Sequence, residues 1–288
     1  MKTVATGILE GCFGCHMSLL DLHEEVLDVL GAVKLVYSPV IDTKDFDRAD
    51  VGILEGAVAT DENVETAKKF RDKCDVLIAL GTCASYGGIP GMRNLFELDD
   101  VLGAVYGDKV PSSGEIPRPL PMVKSLDQVV KVDYYIPGCP PLPNQIKDAL
   151  VALISGEEPV ELTRGKCAQC SRTKKELYVQ RREFVTDGIK AVMELDEIDP
   201  KKCFLEQGII CMGPVTREGC ESKCPTNANM PCRGCWGPTP EAREVGAKMV
   251  NSLASILPAG AMMFMEDIVG TGYRYTMAIS EVPGRIGR

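Results

Sequence analysis

Thirteen cysteines occur in a chain of 288 residues that holds only two histidines, and their spacing restricts what the chain can become. Cys12 and Cys15 form a Cys-x-x-Cys pair near the N-terminus, and Cys83 and Cys139 follow as widely separated single residues. Eight more crowd into the later sequence: Cys167 with Cys170, then Cys203, Cys211, Cys220 and Cys224, then Cys232 with Cys235. With Cys74 set aside, the rest sort into three groups of four. Four is the number of thiolates that a cubane iron-sulfur cluster requires.

Composition narrows the alternatives. A disulfide framework is disfavoured by the odd count and by the compartment the sequence suggests. No run of about 18 apolar residues appears and no targeting signal precedes Cys12, so the chain reads as cytoplasmic with no membrane span. A net charge of −9 and a pI near 5.0 argue against a nucleic-acid partner. An apolar content of 45% is enough for a substantial core.

Hydrophobic patterning divides the chain. Up to Gly156, apolar strand-like runs at Val4–Leu9, Lys34–Ser38, Val51–Leu54, Val76–Leu80 and Val132–Ile136 alternate with helical stretches, the pattern of an α/β domain with a parallel sheet. Helices are expected over Ser18–Leu30, from Asp61 through Cys74, and over Pro143–Ile154 up to Gly156. Cys74 falls on the apolar face of the second helix and reads as a small buried hydrophobe. The Gly- and Pro-rich segment from Gly87 to about Pro121 is expected to be a loop or partner surface. Beyond Gly156 regular patterning fades until Thr239 and Pro240 open a helix through Val245, Met249 and Leu253. The expected domains are therefore 1–157 and 158–288, the second smaller, irregular and stabilised by its metal.

Cys12, Cys83 and Cys139 each lie just past the end of an expected strand. Parallel strands bring their carboxyl ends to one edge, where ligands of open α/β sheets collect, so these residues and Cys15 can meet despite their separation. Glycines beside them allow tight turns and close approach of backbone N–H groups to sulfur. Glu10 and Glu55 fall at the same edge. Glu55, ending an apolar strand, is the better candidate for a buried functional carboxylate. His16 and His23, seven residues apart, are read as neighbours of the site rather than ligands, and neither is given a catalytic role.

The segments GCFGCHMSLLD, LEGAV, GTCASYGGIPG, VDYYIPGCPP, CFLEQGIICMGPVTREGC and CPTNANMPCRGC together resemble the electron-transfer small subunit of nickel-iron hydrogenases. Within that family the likeness is greatest to the cytoplasmic methanogen type that reduces methyl viologen and not the deazaflavin coenzyme. The resemblance implies a flavodoxin-like N-terminal domain whose Cys12, Cys15, Cys83 and Cys139 hold a proximal 4Fe-4S cluster. It further implies a medial 4Fe-4S cluster on Cys220, Cys224, Cys232 and Cys235, and a distal one on Cys167, Cys170, Cys203 and Cys211. In membrane-bound and periplasmic relatives a histidine usually stands where Cys167 is, and a proline often stands where Cys224 is; both centres here are all-cysteine.

By the same resemblance, a nickel-iron centre on a partner large subunit cleaves dihydrogen. This non-catalytic chain passes the electrons through three 4Fe-4S clusters toward a small two-iron electron-transfer subunit and a heterodisulfide reductase, in methanogenesis. The deazaflavin-reducing small subunit is an alternative of the same architecture. A quinone-linked respiratory cluster subunit would account for only four of the cysteines, and a structural zinc protein would explain the Cys-x-x-Cys pairs but not the strand-end singles. Trp236 and the C-terminal tail from Gly270 are read either as packing or as interface.

Overall fold

A computed structural model describes residues 1–110, 114–174, 197–242, 244–256, 263 and 265–281. Two units divide the chain: Met1–Glu161 with Tyr275–Arg288, and Leu162–Arg274.

In the first unit β1 (Lys2–Ile8) leads into α1 (Gly14–Leu20), α2 (Glu25–Ala32), β2 (Val33–Tyr37) and β3 (Ala49–Glu55). Then come β4 (Val58–Thr60), α3 (Asp61–Lys73), β5 (Cys74–Leu80), α4 (Gly81–Tyr86) and α5 (Leu98–Tyr106). β6 (Pro119–Lys124), β7 (Tyr134–Ile136) and α6 (Pro143–Ser155) complete it. Five strands pair in parallel in the order β2-β1-β3-β5-β7. Winding reverses between β1 and β3, which places a topological switch point there.

The central strands are apolar on both faces, as a sheet covered by helices on both sides demands. Successive residues feed two cores. Leu54 and Leu77 pack with Phe70 and Phe46, whereas Ile53 and Ile78 pack with Ile146 and Leu150. Phe70 and Ala67 are the buried face of α3. That helix is opened by Thr60, whose hydroxyl accepts from the Asn63 amide while the Asn63 side chain accepts from the Thr60 amide.

Several expectations change. The helix expected over Ser18–Leu30 is two, because the chain turns between them at His23, whose φ is +54°. Cys74 is buried as expected, but as the first residue of β5 opposite Ala49. The Gly87–Pro121 segment is more ordered than a loop: it contains a 3-10 turn at Ile89–Leu95, α5, and the first residues of β6, which pairs antiparallel with β4.

In the second unit, α7 (Lys223–Asn227), α8 (Val245–Ile256) and α9 (Ile268–Gly272) are joined by 3-10 turns and isolated bridges. α8 begins at Val245, later than Thr239 and Pro240. Its Val245, Met249 and Leu253 pack on Phe204, Ile209, Met212 and Val215, and the same core takes in Cys211 and Cys232. Trp236 is buried, as the packing reading expects. The stretch from Tyr275 groups with the first unit. There Met277 and Ala278 are buried and Gln128 Nε2 donates to the Ala278 carbonyl at 3.1 Å; residues 282–288 lie outside the described residues.

Candidate metal centres

Each of four parallel strands delivers part of one site at the carboxyl edge of the sheet. Cys12 and Cys15 follow β1, Glu55 ends β3, Cys83 lies in α4 after β5, and Cys139 follows β7. Cross-bracing between the turns holds them together. The Thr82 amide donates to the Gly138 carbonyl at 2.8 Å and the Gly138 amide donates to Thr82 Oγ1 at 3.0 Å, joining the Cys83 turn to the Cys139 turn. Ser18 Oγ donates to the Pro141 carbonyl at 2.6 Å, joining α1 to the same turn.

Glu55 supplies the third brace. Its Oε2 accepts from the His16 backbone N–H and lies 2.8 Å from His16 Nδ1, so one buried carboxylate holds the residue beside Cys15 at two points. The His16 ring stacks on Phe13 with centroids 4.8 Å apart. Its Nε2 is buried with no partner among the described residues. Glu55 was legible as the end of an apolar strand, but its pairing with His16 was not, since nothing in the spacing links them. His23 and Glu10 are exposed and stand outside this network.

The four thiols sense one another. Burial, then Glu55, Cys83, Cys139 and Cys12, push the Cys15 thiol well above its ordinary range. Cys83 is pushed up to about 12, chiefly by burial and then by Cys139, and Cys139 is raised by burial and Cys12. Four thiolates crowded in this way repel unless a cationic core sits among them. Two glycines leave room around the sulfurs: a Cβ on Gly81 would collide with Cys15 Sγ, and one on Gly88 would lie 2.5 Å from Cys83 Sγ. Both also have positive φ, +81° and +53°, which other residues adopt only with strain. Crowded thiols, space at sulfur and an unpartnered buried His16 nitrogen fit an iron-sulfur cluster.

In the second unit loops gather the other eight. Cys167 sits in a 3-10 turn over Lys166–Gln169, and its thiol is pushed up to about 11 by burial and then by Cys170 and Cys203. Cys203 is tied to the Cys170 side through its amide, which donates to the Thr173 carbonyl at 3.1 Å. A Cβ on Gly213 would lie 3.1 Å from Cys167 Sγ and 3.5 Å from Cys211 Sγ, so this glycine is flanked by both. Cys211 is pushed up to about 12 by burial and by Cys232.

The two later groups of four adjoin at that point: the Cys232 amide donates to Cys211 Sγ at 3.3 Å and the Met212 amide to the Cys232 carbonyl at 2.9 Å. Cys232 Sγ lies 3.6 Å from Thr216 Oγ1. Lys166, buried nearby, is influenced electrostatically by Cys232, Cys220 and Cys224, and Cys235 follows on the turn closed by the Gly237 amide on the Gly234 carbonyl. Ser222 Oγ, between Cys220 and Cys224, is buried without a partner among the described residues. Sequence reasoning missed Lys166 and Ser222, because neither residue type signals a cluster by itself. No three His, Cys, Asp or Glu side chains among the described residues converge on a single ion. Cubane ligands have no need to, since each thiolate binds a different iron.

Residues 12–153 match the family model described as NADH ubiquinone oxidoreductase, 20 Kd subunit, which spans the first cysteine group alone. Over 95% of its length, and 95% of the relative's, the chain is 40% identical to a vhu-type F420-non-reducing hydrogenase subunit of Methanocaldococcus jannaschii. To the corresponding F420-non-reducing hydrogenase subunit of Methanothermobacter thermautotrophicus it is 38% identical over 98% of its length and 96% of the relative's. To an F420-non-reducing hydrogenase iron-sulfur subunit of Archaeoglobus profundus it is 35% identical over 87% of its length and 86% of the relative's.

Among solved structures, a chain of an NAD+-reducing [NiFe]-hydrogenase in the H2-reduced state superposes with a TM-score of 0.54 at 37% identity, covering 56% of this chain and 94% of that one. A chain of the [NiFeSe] hydrogenase of Desulfovibrio vulgaris Hildenborough superposes with a TM-score of 0.55 over 84% of this chain and 95% of that one, at 21% identity, and shares the fold. With its parallel sheet, its cysteine-rich second unit and identity to these relatives along nearly its whole length, the chain belongs to the family of small electron-transfer subunits of F420-non-reducing [NiFe] hydrogenases, oxidoreductases acting on dihydrogen.

Proposed function

We propose that this subunit binds three 4Fe-4S clusters and relays electrons from a nickel-iron large subunit to a low-potential acceptor complex of the heterodisulfide reductase type, through a small two-iron subunit. The single observation that carries this reading is the meeting of Cys12, Cys15, Cys83 and Cys139 at one sheet edge, where their thiolates would repel one another without a cationic group between them. When bound, such clusters supply one-electron transfer. The chain's own residues do the rest. Glu55 and Thr82 fix the turns that present sulfur, Gly81 and Gly88 keep the sulfurs uncrowded, and Cys12 and Cys139, exposed, leave that side open to the large subunit.

Cys220, Cys224, Cys232 and Cys235 are proposed for the medial cluster, and Cys167, Cys170, Cys203 and Cys211 for the distal one. All-cysteine ligation of both keeps their potentials low, suited to a low-potential acceptor. Membership in the F420-non-reducing family sets aside the deazaflavin-reducing alternative. No helix among the described residues is long and apolar enough to cross a membrane, in keeping with the cytoplasmic location proposed for the complex.

Anaerobic purification of the native complex tests the reading. Iron and sulfide counts on this subunit should come to about twelve of each, and the co-purifying chains should include a nickel-bearing subunit and a two-iron protein. Four irons alone, or the absence of a nickel subunit, would overturn it.

A further inference from the structure

Arg172 lies two residues past Cys170 and is only 8% exposed, so its guanidinium must find its partners inside the second unit. It finds them on segments far away in sequence. Nη1 donates to the carbonyls of Asp199 and Lys202, each at 2.7 Å, and Nη2 donates to Asn229 Oδ1. The guanidinium carbon sits over the buried Phe204 ring, 3.7 Å from its centroid.

Each contact falls beside a cysteine. Asp199 and Lys202 bound the turn that leads into Cys203, Phe204 follows it, and Asn229 lies in the loop between Cys224 and Cys232. Two carbonyls directed at one nitrogen curl the 199–202 turn, and Gln207 Nε2 closes it from its own side by donating to the same two carbonyls at 3.3 and 2.9 Å. Arg172, unlike Gln207, comes from the other cysteine segment and ties the turn of Cys203 to that of Cys167 and Cys170. The backbone links these segments too, through the Thr173 amide on the Lys201 carbonyl at 2.8 Å and the Cys203 amide on the Thr173 carbonyl at 3.1 Å. Thr173 and Lys201 are exposed, however, and neutral hydrogen bonds open to water hold less firmly than buried ones from a charged donor.

We propose that Arg172 is the positioning residue of the distal site, holding the turn of Cys203 against the segment of Cys167 and Cys170 so that three of the four thiols are presented to one iron-sulfur centre. The inference rests on the cluster reading above. Shape qualifies this side chain more than charge does. A guanidinium is planar with its donors in a fixed fork, so it can lie against Phe204 and reach acceptors on two segments in one pose, whereas an ammonium has its three donors at a single point. The loop of Asn229 depends less on the contact, because Asn229 Nδ2 also donates to the Ile198 carbonyl at 3.3 Å and the Met230 amide donates to the Cys224 carbonyl at 3.0 Å. Loss of Arg172 therefore falls on the distal centre before the medial one. The residue acts through the backbone that carries the ligands and is not a catalytic one.

The test uses the holocomplex with Arg172→Ala and Arg172→Lys, read by iron and sulfide counts and by electron paramagnetic resonance of each centre. Both variants should fall from about twelve irons on this subunit to about eight, with the distal signal lost and the proximal and medial signals kept. Anaerobic treatment of the Arg172→Ala complex with ferrous iron and sulfide should restore the distal signal when ethylguanidinium is added to refill the space left by the side chain. Ethylammonium, of the same charge without the fork, should not restore it. An unchanged distal signal at full iron content in both variants would overturn the proposal, as would equal loss of the medial and distal signals with no recovery on ethylguanidinium, which shows a general packing role. Where Arg172→Ala yields no folded subunit, Arg172→Lys decides: selective loss of the distal signal supports the proposal and an unaltered signal overturns it. Failure of the cluster reading itself is separately visible, as unmutated protein lacking a third four-iron signal.

Discussion

The two units hold cysteines in opposite ways. In the first, a covered parallel sheet exists for reasons that have nothing to do with sulfur, and its rim carries Cys12 and Cys139 on turns, Cys15 in α1 and Cys83 in α4. In the second, among the described residues, short helices and 3-10 turns make up the regular structure, and two of the eight cysteines, Cys211 and Cys232, are part of the apolar core. The rim of a stable sheet can lose its metal and keep its fold, whereas a core built around ligands cannot. On the proposed cluster assignment, metal binding in the second unit would be coupled to folding free energy, and in the first largely decoupled from it.

Cluster removal is the severest test of that contrast. Stripping the holoprotein anaerobically with a chelator should reduce hydrogen-exchange protection of the α8 amides on the order of 1,000-fold, equivalent to about 4 kcal/mol. The β3 and β5 amides should change by less than about tenfold. Equal loss in both units would break the comparison.

Alkaline titration of the stripped chain comes next. From an ordinary thiol value of 9.0, Cys83 and Cys211 are pushed up to about 12 and Cys167 to about 11, each first by burial. A thiol whose pKa is raised in the folded chain holds its proton more tightly there than in the unfolded chain, a contribution to folding that lasts only while the proton stays bound. That contribution is present in full below pH 9 and is lost as pH rises through the folded values. Stripped protein should thus lose stability between about pH 9 and 12 in denaturant melts, while cluster-loaded protein, whose ligands are already deprotonated, should show no such loss over that window. Parallel curves for the two forms would count against the assignment.

How far the sequence revealed these arrangements depends on how local each one is. Strands β1, β2, β3 and β5 stood out because their apolar runs are continuous, and α6 because its apolar face ends at Gly156 in a left-handed conformation, φ +79°. The Asp21–Glu24 break between α1 and α2 was hidden, since Leu19, Leu22 and Val26 keep helical spacing across it while His23 turns the chain. β6 was hidden by Pro119 and Pro121, residues that disqualify a central strand but are tolerated in a two-stranded edge pairing. At the sites, positions of thiols were readable from spacing. Groups that act on them through space, such as Glu55 on Cys15, are separated by tens of residues and belong to no motif.

Glu55 probes whether the rim site is independent of the sheet that carries it. Glu55→Ala leaves the buried His16 amide and Nδ1 without their acceptor, at a cost of about 2–4 kcal/mol in thermal or denaturant unfolding of the first unit. Glu55→Gln keeps an acceptor oxygen and should cost about half as much or less. The second unit's transition should not move in either variant. A Glu55→Ala variant that destabilises the second unit equally would mean that the two do not unfold separately.

Smallest in effect, and most specific to the comparison, is the cap of α3. Thr60→Ala removes a hydroxyl that accepts from the Asn63 amide at 3.2 Å and so opens half of a capping box. Such a loss costs about 1 kcal/mol. No cysteine ligand lies in α3, and the helix packs its Phe70 on β3 and β5 residues of the metal-independent core. The same decrement should therefore appear in cluster-loaded and in stripped protein. If it appears only after stripping, the loaded clusters are bracing the sheet as well, and the division between a scaffold that carries its site and a site that makes its own scaffold fails at the place where it was expected to be strictest.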